Sequence, residues 1–224
     1  MKKVLKILFS IISIIILVFT FMSCTKSNVY LPNREWKFVI RFSNNSELDT
    51  VILKTYNENW ELTQTKIEYI YNLKKNSSGG YTQNTEITGV IDRKENFITR
   101  IFSVSEVWLH PPRTGKLRVT ELLPFPWIKF PIKIGQINEW KLTPKEGWKD
   151  MEGKKINGKI SVVRKILFDN PAVKDSCWVL EGFGLSDFGK FKCSYYFSEK
   201  YGFIYFFYDF NQYQIELIPI LIKF

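Results

Sequence analysis

After residue 28 the apolar residues recur with a period of two, and helical spacing is almost missing. That period puts alternate side chains on opposite faces of extended chain, so the polypeptide must pair strands and bury one face of a sheet. "TKIEYIYNL" sets Thr65, Ile67, Tyr69, Tyr71 and Leu73 on one face, against Lys66, Glu68 and Asn72 on the other. "TEITGVID" repeats the scheme through Thr85, Ile87, Gly89 and Ile91 after the loop "KKNSSGGY", and the two segments read as a hairpin. "INGKISVVRKILF" carries Ile156, Ile160, Val162, Ile166 and Phe168 in step, with Arg164 breaking the face. Further strands are expected over 36–42, 49–56, 97–104 and 116–123. The last quarter reads as a meander of "CWVLEGF", "KFKCSYYF", "FIYFFYDF" and "QIELIPILI", with Gly202 supplying a left-handed turn position. The predicted fold is mainly β: one strongly curved antiparallel sheet of about ten strands, closing into a half-barrel or open barrel.

One stretch resists this pattern. Pro111, Pro112, Pro124, Pro126 and Pro131 lie within 32 residues or so of "LHPPRTGKLRVTELLPFPWIKFPIKIGQINEW", together with Trp127 and Trp140. Proline cannot donate to a central ladder, so this region is expected as edge strand, crossing segment or loop, either a lid over a cavity or a plug in the open end of the barrel.

Ahead of the strands stand Lys2, Lys3 and Lys6, then the uncharged run "ILFSIISIIILVFTF", a cationic start and apolar middle that mark an export signal helix. Phe21-Met22-Ser23-Cys24 follows, and this tetrad resembles the lipobox of bacterial lipoproteins. The resemblance implies a signal peptide over 1–23, diacylglyceryl attachment at the Cys24 thiol, and cleavage ahead of it. Acyl chains contribute roughly 0.8 kcal/mol per buried methylene, so two or three hold a protein on a bilayer. It further implies a cell-envelope location outside the cytoplasm; Thr25, not an acidic residue, follows the cysteine, which in that family favours the outer membrane. Residues 24–35 are then a tether and 36–224 a single β-rich domain.

The chain carries a net charge of +10, three units of it in the leader, and the remaining basic residues are scattered from Arg34 to Lys223. Scattered lysines suit the solvent face and edges of a sheet, or attraction to anionic headgroups and acidic glycans. Nucleic acid is not an expected partner, because no basic helix or RNA-binding signature is present.

Catalytic signatures are sparse. His110 is the only histidine, and no serine occupies a nucleophile elbow. "DFG" at 187–189 lacks every companion motif of a kinase, and "GFGLSDFG" lacks dinucleotide-binding spacing. Two further thiols without neighbouring histidine make half a metal set, so neither a metal nor a cofactor is expected. Cys177 and Cys193 could form a cross-strand disulfide if their hairpin turns near Leu185; two reduced core thiols are the alternative. Glu121, Asp187, Glu199 and Asp209 are possible members of a carboxylate pair. Tyr195, Tyr205, Phe207 and Trp127 could line a ligand site by stacking, or simply fill the core.

These features describe a membrane-anchored envelope lipoprotein whose β-domain binds an apolar or glycan ligand, or a protein partner, without catalysis. An anchored hydrolase with paired carboxylates and a small outer-membrane β-barrel are the other two classes the pattern admits.

Overall fold

The computed structural model describes residues 29–60, 64–75, 81–92, 106–144 and 151–224, the side chains of 45–48, 72–75, 81–84 and 91–92 apart. The expected signal helix, Cys24 and the strand expected over 97–104 lie outside these residues. Among them are twelve strands. The first six are β1 (Glu35–Phe42), β2 (Asn45–Trp60), β3 (Gln64–Lys75), β4 (Tyr81–Asp92), β5 (Glu106–Leu109) and β6 (Trp127–Lys129). The second six are β7 (Ile137–Leu142), β8 (Ile156–Asn170), β9 (Val173–Ser186), β10 (Gly189–Ser198), β11 (Gly202–Asp209) and β12 (Gln214–Lys223).

All twelve form one sheet in the order β6-β5-β4-β3-β2-β1-β12-β11-β10-β9-β8-β7, every pair antiparallel. The first and last strands pair with each other, so the sheet's free edges are β6 and β7, which are consecutive in the chain. Those edges meet at a seam where Asn138 Nδ2 donates to the Trp127 carbonyl at 3.3 Å. The result is a nearly closed barrel, with twelve strands where about ten were expected. The proline-rich region supplies both edges, as ladder chemistry requires.

Successive strands run in opposite directions, so the turns fall at two ends. At the lower end lie the start of β1, the β6–β7 and β8–β9 and β10–β11 connections, and the finish of β12. The upper end carries the β1–β2, β5–β6, β9–β10 and β11–β12 connections.

Among the described residues, large apolar side chains pack the lumen. Trp36, Phe38, Leu53, Tyr69, Tyr195, Phe197, Phe206 and Tyr208 point inward and are almost fully buried. Their rings meet edge-on, Phe38 to Phe206 at 5.5 Å and Tyr195 to Tyr208 at 5.7 Å, the arrangement the aromatic quadrupole favours. The expected face of β3 holds: Ile67, Tyr69 and Tyr71 are buried. The expected face of β4 is reversed. Thr88 and Val90 are buried and Ile87 stands 42% exposed, because Tyr69 pairs with Glu86 and the ladder carries the even-numbered residues inward.

β8 changes face midway. A bulge between Val162 and Arg164 turns Ile166 and Phe168 outward, where Phe168 joins a smaller apolar cluster with Val173, Cys177 and Ile204. The lower part of the β8–β9 hairpin thereby folds over the outside of the sheet, and Asn170 Nδ2 donates to the Pro219 carbonyl at 3.0 Å.

The segment expected as a strand over 116–123 is instead a 3₁₀ helix, Gly115–Leu122. Prolines bracket it on both sides and deny it a ladder partner, and Leu117, Thr120 and Leu122 turn toward the core. This segment and Pro124 plug the upper end. Room for it exists because Gly184 and Gly158 carry no side chain: a Cβ on Gly184 would fall 1.9 Å from the Leu122 carbonyl oxygen, and one on Gly158 3.0 Å from Pro124 Cγ. Tyr195 Oη fixes the plug by donating to the Pro124 carbonyl at 2.7 Å.

The folded domain also begins earlier than residue 36. Val29 and Tyr30 are buried, and Tyr30 Oη accepts the Phe203 backbone N–H at 2.9 Å. The expected tether over 24–35 is shortened accordingly.

Candidate functional site

Inside the barrel wall, a charged cluster ties the plug to β3 and β4. Arg113 donates through Nε to Glu86 Oε1 at 2.9 Å and through Nη1 to Glu121 Oε1 at 3.1 Å. Glu86 Oε2 accepts three more bonds, from the Arg113 backbone N–H at 3.0 Å, Thr114 Oγ1 at 2.9 Å and Tyr71 Oη at 2.7 Å. Glu121 is only 2% exposed and receives a single donor from this set. Burial pushes its carboxyl up to about 7, a pull that outweighs the opposing attraction of Arg113. Two carboxylates therefore do converge, but neither lines either cleft described below, and both are held by one guanidinium beneath the plug. This arrangement clamps the plug to β3 and β4.

His110 lies at the same place, packed against Trp108 at 4.5 Å and Phe125 at 5.1 Å. Burial, with Arg113 adding to it, lowers its pKa to about 3. Its imidazole is thus neutral across the physiological range.

The outer face presents a different surface. Across β8 to β11 the register aligns Lys159, Phe183, Lys192 and Asp209 in one cross-strand row. Ser161, Glu181, Ser194 and Phe207 form the next. Together with Lys190 they line a cleft of about 440 Å³. The Phe183 ring sits between two ammonium groups, Lys190 Nζ at 4.5 Å and Lys159 Nζ at 5.5 Å from its centroid. Glu181 is engaged by Arg164 Nη1 at 2.8 Å, and Asp209 Oδ1 accepts the Asn211 N–H at 2.9 Å. Glu181 is thus paired, and the cleft offers three lysines against the remaining carboxylate of Asp209, with apolar ring faces and two small hydroxyls. A second cleft of about 670 Å³ opens beside the plug at the upper end, lined by Phe42, Lys116, Arg118 and Tyr213 among others. It repeats the combination of basic and aromatic groups.

Of the four residues singled out as possible ligand-lining groups, only Phe207 lines either cleft; Asp209, one of the candidate carboxylates, and Cys193 lie along the same cleft. Tyr195 faces the filled lumen and holds the plug, so no ligand reaches it. Tyr205 lies under the β8–β9 hairpin, its ring packed at a tilt against Tyr196 at 4.6 Å and its Oη donating to Glu216 Oε1 at 2.9 Å. Trp127 stands on edge strand β6, its Nε1 donating to Glu106 Oε2 at 2.8 Å. Asp187 and Glu199 take part in exposed ion pairs with Lys154 and Lys165.

The disulfide is overturned. Ser186 pairs with Gly189, so the hairpin turns at Asp187 and Phe188, and Cys193 faces Gly182 while Cys177 faces Ser198. Five residues of offset place the two sulfurs on opposite faces of the sheet, and both thiols are free and buried. Among the described residues no group of three or more His, Cys, Asp or Glu side chains is set to hold a metal ion.

Sequence reasoning missed Phe183, Lys159, Lys190 and Lys192. Each stands on the polar face of its own strand; what joins them is the register, which a turn placed at 187–188 would have given.

The class these features define is an up-and-down antiparallel barrel with a plugged aromatic lumen and a charged exterior. No family model matches the chain, and no curated protein matches it. Solved structures that resemble it include a protein described as exported, with a YmcC-like fold, from Bacteroides fragilis. It is 10% identical, with a TM-score of 0.47, over 90% of this chain and 100% of that one. A protein described as a lipoprotein, from Parabacteroides distasonis, gives 10% identity and a TM-score of 0.49 over 89% and 99%. The hypothetical lipoprotein YmcC of Escherichia coli gives 11% and 0.38 over 92% and 96%. With identities near 10% and TM-scores below 0.5, these likenesses carry no conclusion about this chain's activity.

Proposed function

We propose that this chain is an outer-membrane-anchored envelope lipoprotein, tethered through Cys24, whose barrel binds an acidic glycan in the cleft across β8 to β11 without catalysing a reaction. The observation that carries the ligand class is the Phe183 ring held between the Lys159 and Lys190 ammonium groups, beside Phe207. A pyranose ring stacks its C–H face on an aromatic ring, while its carboxylate takes a lysine ammonium, so a uronic-acid polymer satisfies both features at once. The filled lumen argues against an acyl chain as ligand. The exterior argues against the membrane-spanning barrel: outward positions such as Lys37, Lys54, Lys159 and Lys192 are charged while the lumen, the Arg113 cluster apart, is lined by apolar and aromatic groups, the reverse of an outer-membrane barrel.

Affinity electrophoresis through polygalacturonate, with neutral dextran as control, tests the ligand class. The wild-type protein should be retarded by the acidic polymer alone, and Phe183→Ala and Lys190→Glu should each weaken retention about tenfold, as one lost ring or cation contact of roughly 1–2 kcal/mol implies. Equal retention of both variants, or equal retardation by dextran, would refute it. Fatty-acid labelling that persists in Cys24→Ser would refute the anchor.

A further inference from the structure

We infer that the lower end of the barrel is a bilayer-facing surface that rests on an anionic phospholipid headgroup layer. This rests on the reading of Cys24 as a lipid anchor, and it goes beyond tethering to fix how the domain sits.

Reach is the first argument. Val29 and Tyr30 are already packed into the fold at the lower end, so only the five residues from Cys24 to Asn28 separate the acylated sulfur from the domain. Five residues span at most about 18 Å even when fully extended. A domain on so short a leash cannot stand clear of the membrane, and the end that carries Val29 is the end that meets it.

Exposed apolar surface is the second, and it is independent of the first. Ten large apolar side chains stand exposed among the described residues. Seven lie at the lower end: Leu31 ahead of β1, Ile134 and Ile137 around the β6–β7 connection, Leu167 on the overhanging hairpin, and Ile220, Leu221 and Phe224 at the finish of β12. Ile134, at 64% exposed, and Leu167, at 66%, are among the least covered. Only Leu185 and Phe188 mark the upper end, flanking the β9–β10 turn. Ile87 on β4 is the tenth; seven of ten gathered at one end mark a contact surface, whereas singly scattered ones need no account.

Charge complementarity identifies the occupant. Lys133 lies in the β6–β7 connection beside Ile134, Lys200 in the β10–β11 turn, and Arg34 and Lys223 at the start of β1 and finish of β12. The neighbouring acids are engaged, Glu35 by Lys54 and Lys223, and Glu199 by Lys165 and Trp178. Apolar side chains that enter the interface between flanking lysines are what an anionic lipid surface takes up, the cations drawn to the headgroup charge. The clefts that carry Lys190 and Lys116 then open toward the upper half, away from the bilayer.

The test uses the mature lipidated chain in vesicles of equal parts phosphatidylcholine and phosphatidylglycerol. An environment-sensitive fluorophore is placed at Ile134→Cys or, as the upper-end reference, at Leu185→Cys. Selective labelling is available because Cys177 and Cys193 are buried and Cys24 carries lipid. Emission from Ile134→Cys should shift to the blue and be quenched by headgroup-region spin-labelled lipid, while Leu185→Cys reports water. The difference should shrink in pure phosphatidylcholine and in a Lys133→Glu, Lys223→Glu background. If intact mass shows lipid on Cys24 yet both positions report water, the inference falls while the anchor stands. A bare Cys24 thiol removes the anchor and the inference with it. A blue shift already present without vesicles, accompanied by dimerisation, assigns the face to a second copy of the chain and overturns the proposal.

Discussion

Replacing Glu121 by Gln should make the protein's stability respond differently to pH, in a direction opposite to the loss of an ordinary salt bridge. Glu121 is 2% exposed and shares Arg113 with Glu86. Its carboxyl holds a proton in the folded state up to about pH 7, against 4.5 for the same group in water. Between those values the folded chain binds more protons than the unfolded one, so stability falls as pH rises. The contribution is intact below about 4.5 and lost by about 7. The gap corresponds to roughly 3 kcal/mol, since each pKa unit is worth about 1.4 kcal/mol. Gln keeps an oxygen for Arg113 Nη1 and cannot ionise, and Arg113 retains Glu86 as counter-charge. The stability of Glu121→Gln relative to wild type should therefore rise by roughly 3 kcal/mol from pH 4.5 to pH 8. His110 works in the other direction: held down to about 3, it contributes stability above 6.5 that is lost as pH falls. Both proteins share that term, so it cancels in the difference. Urea unfolding across this range, followed by tryptophan fluorescence, measures it. A difference that is flat with pH, or that falls as pH rises, would show that Arg113 dominates over burial and that Glu121 is an ordinary ionised partner.

The remaining expectations are simpler. Gly184→Ala forces a methyl to within 1.9 Å of the Leu122 carbonyl, so the plug must shift; a loss of about 3 kcal/mol in chemical unfolding is expected, and an unchanged midpoint would show that the plug is not seated there. Cys177 and Cys193 are buried, and burial raises both thiols to about 12. A disulfide-exchange reagent at pH 8 should modify neither in the native protein and both in denaturant; a native intramolecular disulfide detected by mass would refute the register of β9 and β10.

Several elements of this molecule were legible from residue order alone. The period of two required strands, the prolines at 111–131 required edges or a plug, and Gly202, with φ +77°, supplied its turn. The tetrad ending in Cys24 carried the expectation of an anchor without any reference to the fold. Tertiary structure decided what alternation leaves open. Alternation separates the two faces of a strand but does not say which face is inside: the pattern of β4 favours Ile87 inward, whereas Glu86, Thr88 and Val90 hold that side. Nor does it set register. Moving the β9–β10 turn from Leu185 to Asp187 and Phe188 shifts each partner by five positions, which parts the cysteines and brings Phe183 between Lys159 and Lys190. The physical reason is that a strand's side-chain pattern is local, whereas its neighbours are chosen by turn geometry and by the packing of a lumen built from residues far apart in the chain.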